Sequence, residues 1–121
     1  MDELTKKAIM LLKSLIFHYH GLDDEERDLL EASARELSAS NEMDWANKFI
    51  AEDYISAFER SREFLQKVFT KMSEKERLDH LFDVWEANNR KGYLTEMETT
   101  AILTLSKDWM IEKSFLEKIN D

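Results

Sequence analysis

The residues best suited to chemistry are four consecutive acids, Asp23, Asp24, Glu25 and Glu26. Clustered carboxylates beside a turn supply the oxygen ligands that calcium and magnesium take, which makes Asp23, Asp24 and Glu26 candidate ligands of a divalent cation. The same residues have a second use. Asp23 is a helix-capping type and Glu26 follows it by three positions, the spacing at which the two residues satisfy each other's free backbone N–H groups. Acids in a first helical turn also face the positive end of the helix dipole, gaining roughly 0.3–1 kcal/mol each. Cation ligation and helix capping both account for this cluster.

The cluster belongs to a phrase that occurs twice. The only two glycines of the chain head Gly21-Leu22-Asp23-Asp24-Glu25-Glu26 and Gly92-Tyr93-Leu94-Thr95-Glu96-Met97-Glu98. In the second copy Thr95 and Glu98 take the capping spacing of Asp23 and Glu26. Glycine adopts the left-handed conformation that ends a helix, so each phrase reads as helix stop, turn and helix start. Leu29, Leu30 and Leu37 follow Glu26 at the offsets at which Ala101, Ile102 and Trp109 follow Glu98. A duplicated helix-turn-helix hairpin is predicted. The second turn also has the outline of an EF-hand calcium loop, with Gly92 sixth and Glu98 twelfth. Ala87 then falls at the first ligand position and cannot ligate, and Lys91 at the fifth places a cation where the ion would sit. Any divalent cation is therefore expected near residues 23–26 and not near residues 88–98, where Arg90 and Lys91 oppose it.

Other constellations are weaker. His18 and His20 lie two apart on a helix and point in different directions, so they do not jointly grip one zinc ion, although His80 is a possible distant partner. There is no cysteine, hence no disulfide, thiolate site or cysteine nucleophile. No glycine-rich phosphate loop, nucleophile elbow or metalloprotease helix motif is present. A non-catalytic protein without a resident cofactor is expected.

These residues must be positioned by helices. A chain with no proline and two glycines lacks the punctuation that many short strands need, and predicts an all-α fold. Leu4, Ala8, Leu11, Leu12, Leu15 and Tyr19 form a broad stripe over residues 2–19, which reads as a central helix. A second helix is expected from about residue 24 to 37, with Leu29, Leu30, Ala34 and Leu37 inward and acids outward. Residues 38–41 read as a polar connection. Residues 43–71 are helical by pattern with the number of helices open; Trp45, Phe49 and Ile50 form one apolar patch, Ile55, Phe58, Leu65, Val68, Phe69 and Met72 another, and a break is expected between 52 and 61. Ser73 with Glu76 opens a further helix carrying Leu78, Leu81, Phe82 and Trp85 inward. Thr95 opens one reaching about Trp109, and a last helix over residues 112–119 is anchored by Phe115, Leu116 and Ile119. Five to seven helices in a single domain over residues 1–121 follow.

Charge narrows the partners. The net charge is −9, and residues 22–36 hold seven acids against two bases. Phosphate backbones and anionic membrane surfaces are bound by Lys and Arg, so nucleic acid and membrane are disfavoured. The apolar run from Ala8 to Leu12 is too short to span a bilayer. A cytoplasmic protein acting through a protein partner is expected. One version is an acidic inhibitor or immunity-type protein that masks a basic surface, since charge complementarity speeds association.

Two copies of a helix-ending glycine, a hydrophobic residue, a capping residue and a glutamate resemble the TerB-like (tellurite-resistance TerB) group, over about Leu11 to Ile119. The resemblance implies a compact all-α fold with a duplicated helical core. It also implies an accessory role in bacterial stress response, linked to metal or to membrane-associated partner complexes. Where the group has an aspartate before each turn glycine, this chain has His20 and Lys91, while Glu26 and Glu98 match.

Overall fold

The computed structural model describes residues 1–19, 23–90 and 94–121. Among them are seven helices and no strand: α1 (Glu3–His18), α2 (Asp24–Leu37), α3 (Ser40–Ala51), α4 (Ala57–Phe69), α5 (Glu74–Asn89), α6 (Glu96–Asp108) and α7 (Glu112–Ile119). The expected break in the middle of the chain falls between α3 and α4. The glycine turns predicted at Gly21 and Gly92, with His20 and Lys91 beside them, lie outside the described residues. The chain divides into two compact units, residues 1–68 and residues 69–121.

In the first unit, α1 packs against both α2 and α3, and α2 against α3. Asp2 starts α1 by accepting the Thr5 N–H at 2.7 Å. From Ala8 to Phe17 every residue but Lys13 is buried, so this helix is enclosed on all sides, as its broad stripe implied. Leu4 lies beyond that zone and is exposed. The sequence placed Leu29 inward and the acids of α2 outward. Instead Glu26, Leu30 and Ala34 form the buried stripe at four-residue spacing, and Leu29 stands at its exposed edge.

Aromatic packing joins α3 to α4. Trp45 lies 5.2 Å from both Phe49 and Phe64, ring centre to ring centre. Such tilted pairs add roughly 0.5–1.5 kcal/mol each beyond their burial. Ile55, grouped with Phe58 and Leu65 by its apolar character, is 96% exposed. It sits in the link before α4, where helical spacing no longer decides which way a side chain faces.

In the second unit, α5, α6 and α7 pack on one another. Phe69 stacks on Trp109 with ring centres 4.1 Å apart, and Trp85 meets Phe115 edge-on at 5.8 Å. Trp85, expected to be buried, is only partly so, and Leu116 is exposed while Phe115 is the buried anchor.

Features of the described residues recur in the two units. α1 and α5 are both 16 residues long. Asp23 and Thr95 each close a complete capping box, and the glutamates in those boxes, Glu26 and Glu98, are both fully buried. The helices that follow end alike. Ser38 (φ 53°) and Met110 (φ 60°) take the left-handed conformation without being glycine. After them Ala39 donates to the Ala34 carbonyl at 2.7 Å and Ile111 to the Ser106 carbonyl at 2.9 Å. This is the six-to-one bond of a Schellman stop, completed by burying Ala39 and Ile111. Each unit thus repeats a helix, a capped second helix, a left-handed stop and a third helix.

Candidate functional site

Of the three carboxylates named from the sequence, two are joined and one stands apart. Asp23 is exposed and spends its Oδ1 on the Glu26 N–H at 2.8 Å. Glu26 is buried and accepts the Asp23 N–H at 3.4 Å. Asp24 is exposed and lies 3.8 Å from the Arg27 guanidinium. Among the described residues no three His, Asp or Glu side chains are grouped so as to hold a metal ion. Asp23 and Glu26 are brought together as a cap.

The first unit has a cavity that the sequence reading did not identify. An open pocket of about 190 Å³ is lined by Leu15, His18 and Tyr19 from the end of α1, Ile50 from α3, Tyr54 from the link, and Ala57 and Phe58 from the start of α4. The cavity exists because α1 ends in two aromatic residues opposite the place where the chain leaves α3. Their rings meet others across it. His18 and Tyr54 are 6.0 Å apart, and Tyr19 and Phe58 are 6.2 Å apart edge-on. Tyr54 forms the outer rim and is 65% exposed.

Two polar side chains meet behind this site. Nε2 of His18 and Oδ1 of Asn47, on the neighbouring turn of α3, are both shut off from solvent, and the Asn47 side chain acts on the imidazole. Burial pushes the His18 imidazole below its ordinary pKa, outweighing the Asn47 side chain and the Glu26 carboxylate, which both favour the protonated form. The Tyr19 phenol is pushed up by its burial, with the Glu59 charge adding to the effect. Both shifts favour neutral side chains. The pocket thus presents apolar walls and aromatic faces.

The link that carries Tyr54 and Ile55 is held by one arginine. Arg60 donates through Nη1 to the Phe49 carbonyl and through Nη2 to the Asp53 carbonyl, both at 2.9 Å. Its Nε donates to the Ser56 hydroxyl at 2.8 Å, and that hydroxyl donates to Asp53 Oδ2 at 3.0 Å. Asp53 Oδ1 accepts the Ile55 N–H at 3.0 Å. The hydrogen bonds from Ser56 and then Ile55 hold the Asp53 carboxyl below the usual carboxylate range. The guanidinium also lies over the Phe49 ring, 4.7 Å from its centre. In sequence Arg60 falls only within the span 52–61 where a break is expected. Its role depends on carbonyls eleven and seven positions back, which periodicity does not reveal.

The second unit does not repeat the pocket residues. Matching α1 to α5 end to end places Asn89 and Arg90 where the first unit has His18 and Tyr19, and both are exposed. The pocket is therefore an addition to the repeated scaffold.

Comparisons of the chain with protein-family models, with curated proteins and with solved structures return no match.

Proposed function

We propose that this chain is a non-catalytic binding protein that engages a protein partner through the face carrying Tyr54 and Ile55. The observation that carries the reading is Ile55 itself. A β-branched aliphatic side chain, 96% exposed, stands beside a 65% exposed tyrosine, and the two adjacent side chains give one link an apolar surface that a partner could cover. A rigid link fixed by Arg60, Ser56 and Asp53 presents both, which lowers the ordering cost of docking. The pocket groups support binding rather than turnover: one neutral imidazole, two phenols and aliphatic walls.

The test is quantitative co-purification from cells that make the protein natively, comparing the wild-type chain with Ile55→Asp. Proteins retained by the wild type should fall about tenfold with the variant, the loss expected when one anchor worth about 1.4 kcal/mol is removed. An unchanged set of retained proteins, with the variant folded, would sink the reading.

A second reading is favoured by α2. Asp23, Asp24, Glu25, Asp28, Glu31 and Glu36 are all exposed, so the helix presents an acidic surface. This supports an acidic inhibitor or immunity-type protein covering a basic partner, whose retention would weaken with salt. Under either reading the bacterial cytoplasm and the stress-response setting rest on the TerB-like resemblance. The repeated capping boxes support that resemblance. Among the described residues no helix is long and apolar enough to cross a membrane.

A further inference from the structure

We propose that the outer face of α6 is a self-association surface, on which a second copy of this chain docks antiparallel across a two-fold axis. The inference is independent of docking at Tyr54 and Ile55, which belong to the first unit.

Helical geometry defines the face. Glu98, Ala101, Ile102, Leu105 and Ser106 are the buried side of α6. Glu96, Met97, Thr100, Leu103, Thr104 and Lys107 fall within about 120° on the opposite side. Glu96, Met97, Thr100 and Lys107 are exposed, and Leu103 and Thr104 are partly so.

The repeated scaffold supplies a contrast. At the offset that matches Asp23 with Thr95, Glu26 with Glu98 and Ser38 with Met110, the residues Met97, Thr100 and Leu103 stand where α2 has Glu25, Asp28 and Glu31. Those three acids are exposed, so solubility is served by charge at these positions. In α6 the charge has been removed from the middle of the same face. Loss of charge at the centre, with methionine in its place, is the composition of a surface that a protein covers.

Charge also identifies the partner. The neutral strip begins at Glu96 and ends at Lys107. Laid antiparallel on itself, α6 brings Glu96 of each copy opposite Lys107 of the other, and Thr100 opposite Leu103. A two-fold interface requires this kind of self-complementarity. The same operation on α2 would set Asp28 of one copy against Glu31 of the other, so the acidic face excludes what the α6 face allows. Lys107 lies 3.5 Å from Glu112 within the chain, but its ammonium is open to solvent, and so exposed a pair contributes little that would hold it back. The Thr104 hydroxyl donates to the Thr100 carbonyl at 2.7 Å, so covering it strands no donor. A helix of 13 residues is about 20 Å long. That is short of what a stable dimer buries, so the association is weak and depends on concentration.

The experiment is sedimentation velocity of the full chain from about 20 µM to about 1 mM, with an amide NMR dilution series over the same range. The sedimentation coefficient should rise with concentration, and the dilution shifts should centre on Met97, Thr100, Leu103 and Thr104. Thr100→Asp gives α6 the residue that its counterpart carries in α2, and should weaken association about tenfold. Glu96→Lys and Lys107→Glu should each weaken it about threefold, and the double variant should restore it, because the exchanged charges again face each other. That restoration tests the surface even if Thr100→Asp misfolds. A monomer at the highest concentration, dilution shifts confined to residues outside α6, undiminished association of a folded Thr100→Asp variant, or a double exchange no better than the single ones would each overturn the proposal.

Discussion

Arg60→Lys tests the structural basis of the binding face. The guanidinium reaches three oxygens at once: the Phe49 carbonyl, the Asp53 carbonyl and the Ser56 hydroxyl. A lysine ammonium keeps the charge but has a single centre, so it holds one of the three and cannot bridge both carbonyls. Hydrogen bonds from a charged donor contribute roughly 1.5–3 kcal/mol each, and exposure to solvent brings such contacts to the low end of that range. Losing two, with part of the ring contact to Phe49, should cost about 2–3 kcal/mol in the first unit. The assay is hydrogen exchange under native conditions, which resolves the link from the rest. The Ile55 amide, bonded to Asp53 Oδ1, should lose most of its protection, while amides in the middle of α6 should change little. A variant whose Ile55 amide and first-unit stability match the wild type within about 0.5 kcal/mol would refute the claim that Arg60 holds the link.

Three further outcomes follow. His18 has a folded-state pKa below its unfolded value, so the unfolded chain binds its proton first as pH falls. Stability of the first unit should hold above about pH 6.5 and decline as pH falls from there through the folded-state pKa; His18→Phe should remove that part of the decline, as measured by denaturant unfolding across pH. Because Asp23 acts as a cap, Asp23→Ala should cost about 1 kcal/mol and Asp23→Asn much less. If Asp23 and Glu26 act as a cap alone, millimolar calcium or magnesium should leave the melting temperature of the wild type unchanged, and a saturable heat of binding that disappears when Asp23 and Asp24 become asparagine and serine would support the cation reading. Ser38 and Met110 pay for left-handed backbone with a Cβ, so Ser38→Gly and Met110→Gly should each stabilise by a few tenths to about 1 kcal/mol, as read from unfolding midpoints. Destabilisation by either would contradict the Schellman assignment.

Helix starts were the most legible feature, because a cap is a local bargain between residues three apart. Asp23 with Glu26, Ser73 with Glu76 and Thr95 with Glu98 all close capping boxes. Leu15, Leu30, Phe69 and Leu81, named from apolar stripes, are all buried. The stops of α2 and α6 were not legible: serine and methionine carry no signal for positive φ, and only the bond pattern around Ala39 and Ile111 identifies them. Nor was the burial of Glu26 and Glu98, whose charge argued for the outside until the capping box gave them a use within. The pocket was least visible. As a ligand, His18 was ruled out with His20 and left open only with His80, whereas its described neighbours are Asn47 and Tyr54, some thirty positions away. Contacts of that range depend on how α1 and α3 pack, and no spacing rule encodes them.

The central claim is that the chain works by binding through Tyr54 and Ile55, and site-specific photo-crosslinking tests it most directly. A photoreactive amino acid would replace Ile55 in one chain and the exposed Lys113 in another, each expressed in its native cells. The account predicts one discrete heavier adduct from position 55, lost when Tyr54 is changed to serine, and none of that mass from position 113. No adduct at position 55, or the same adducts from both positions, would contradict it.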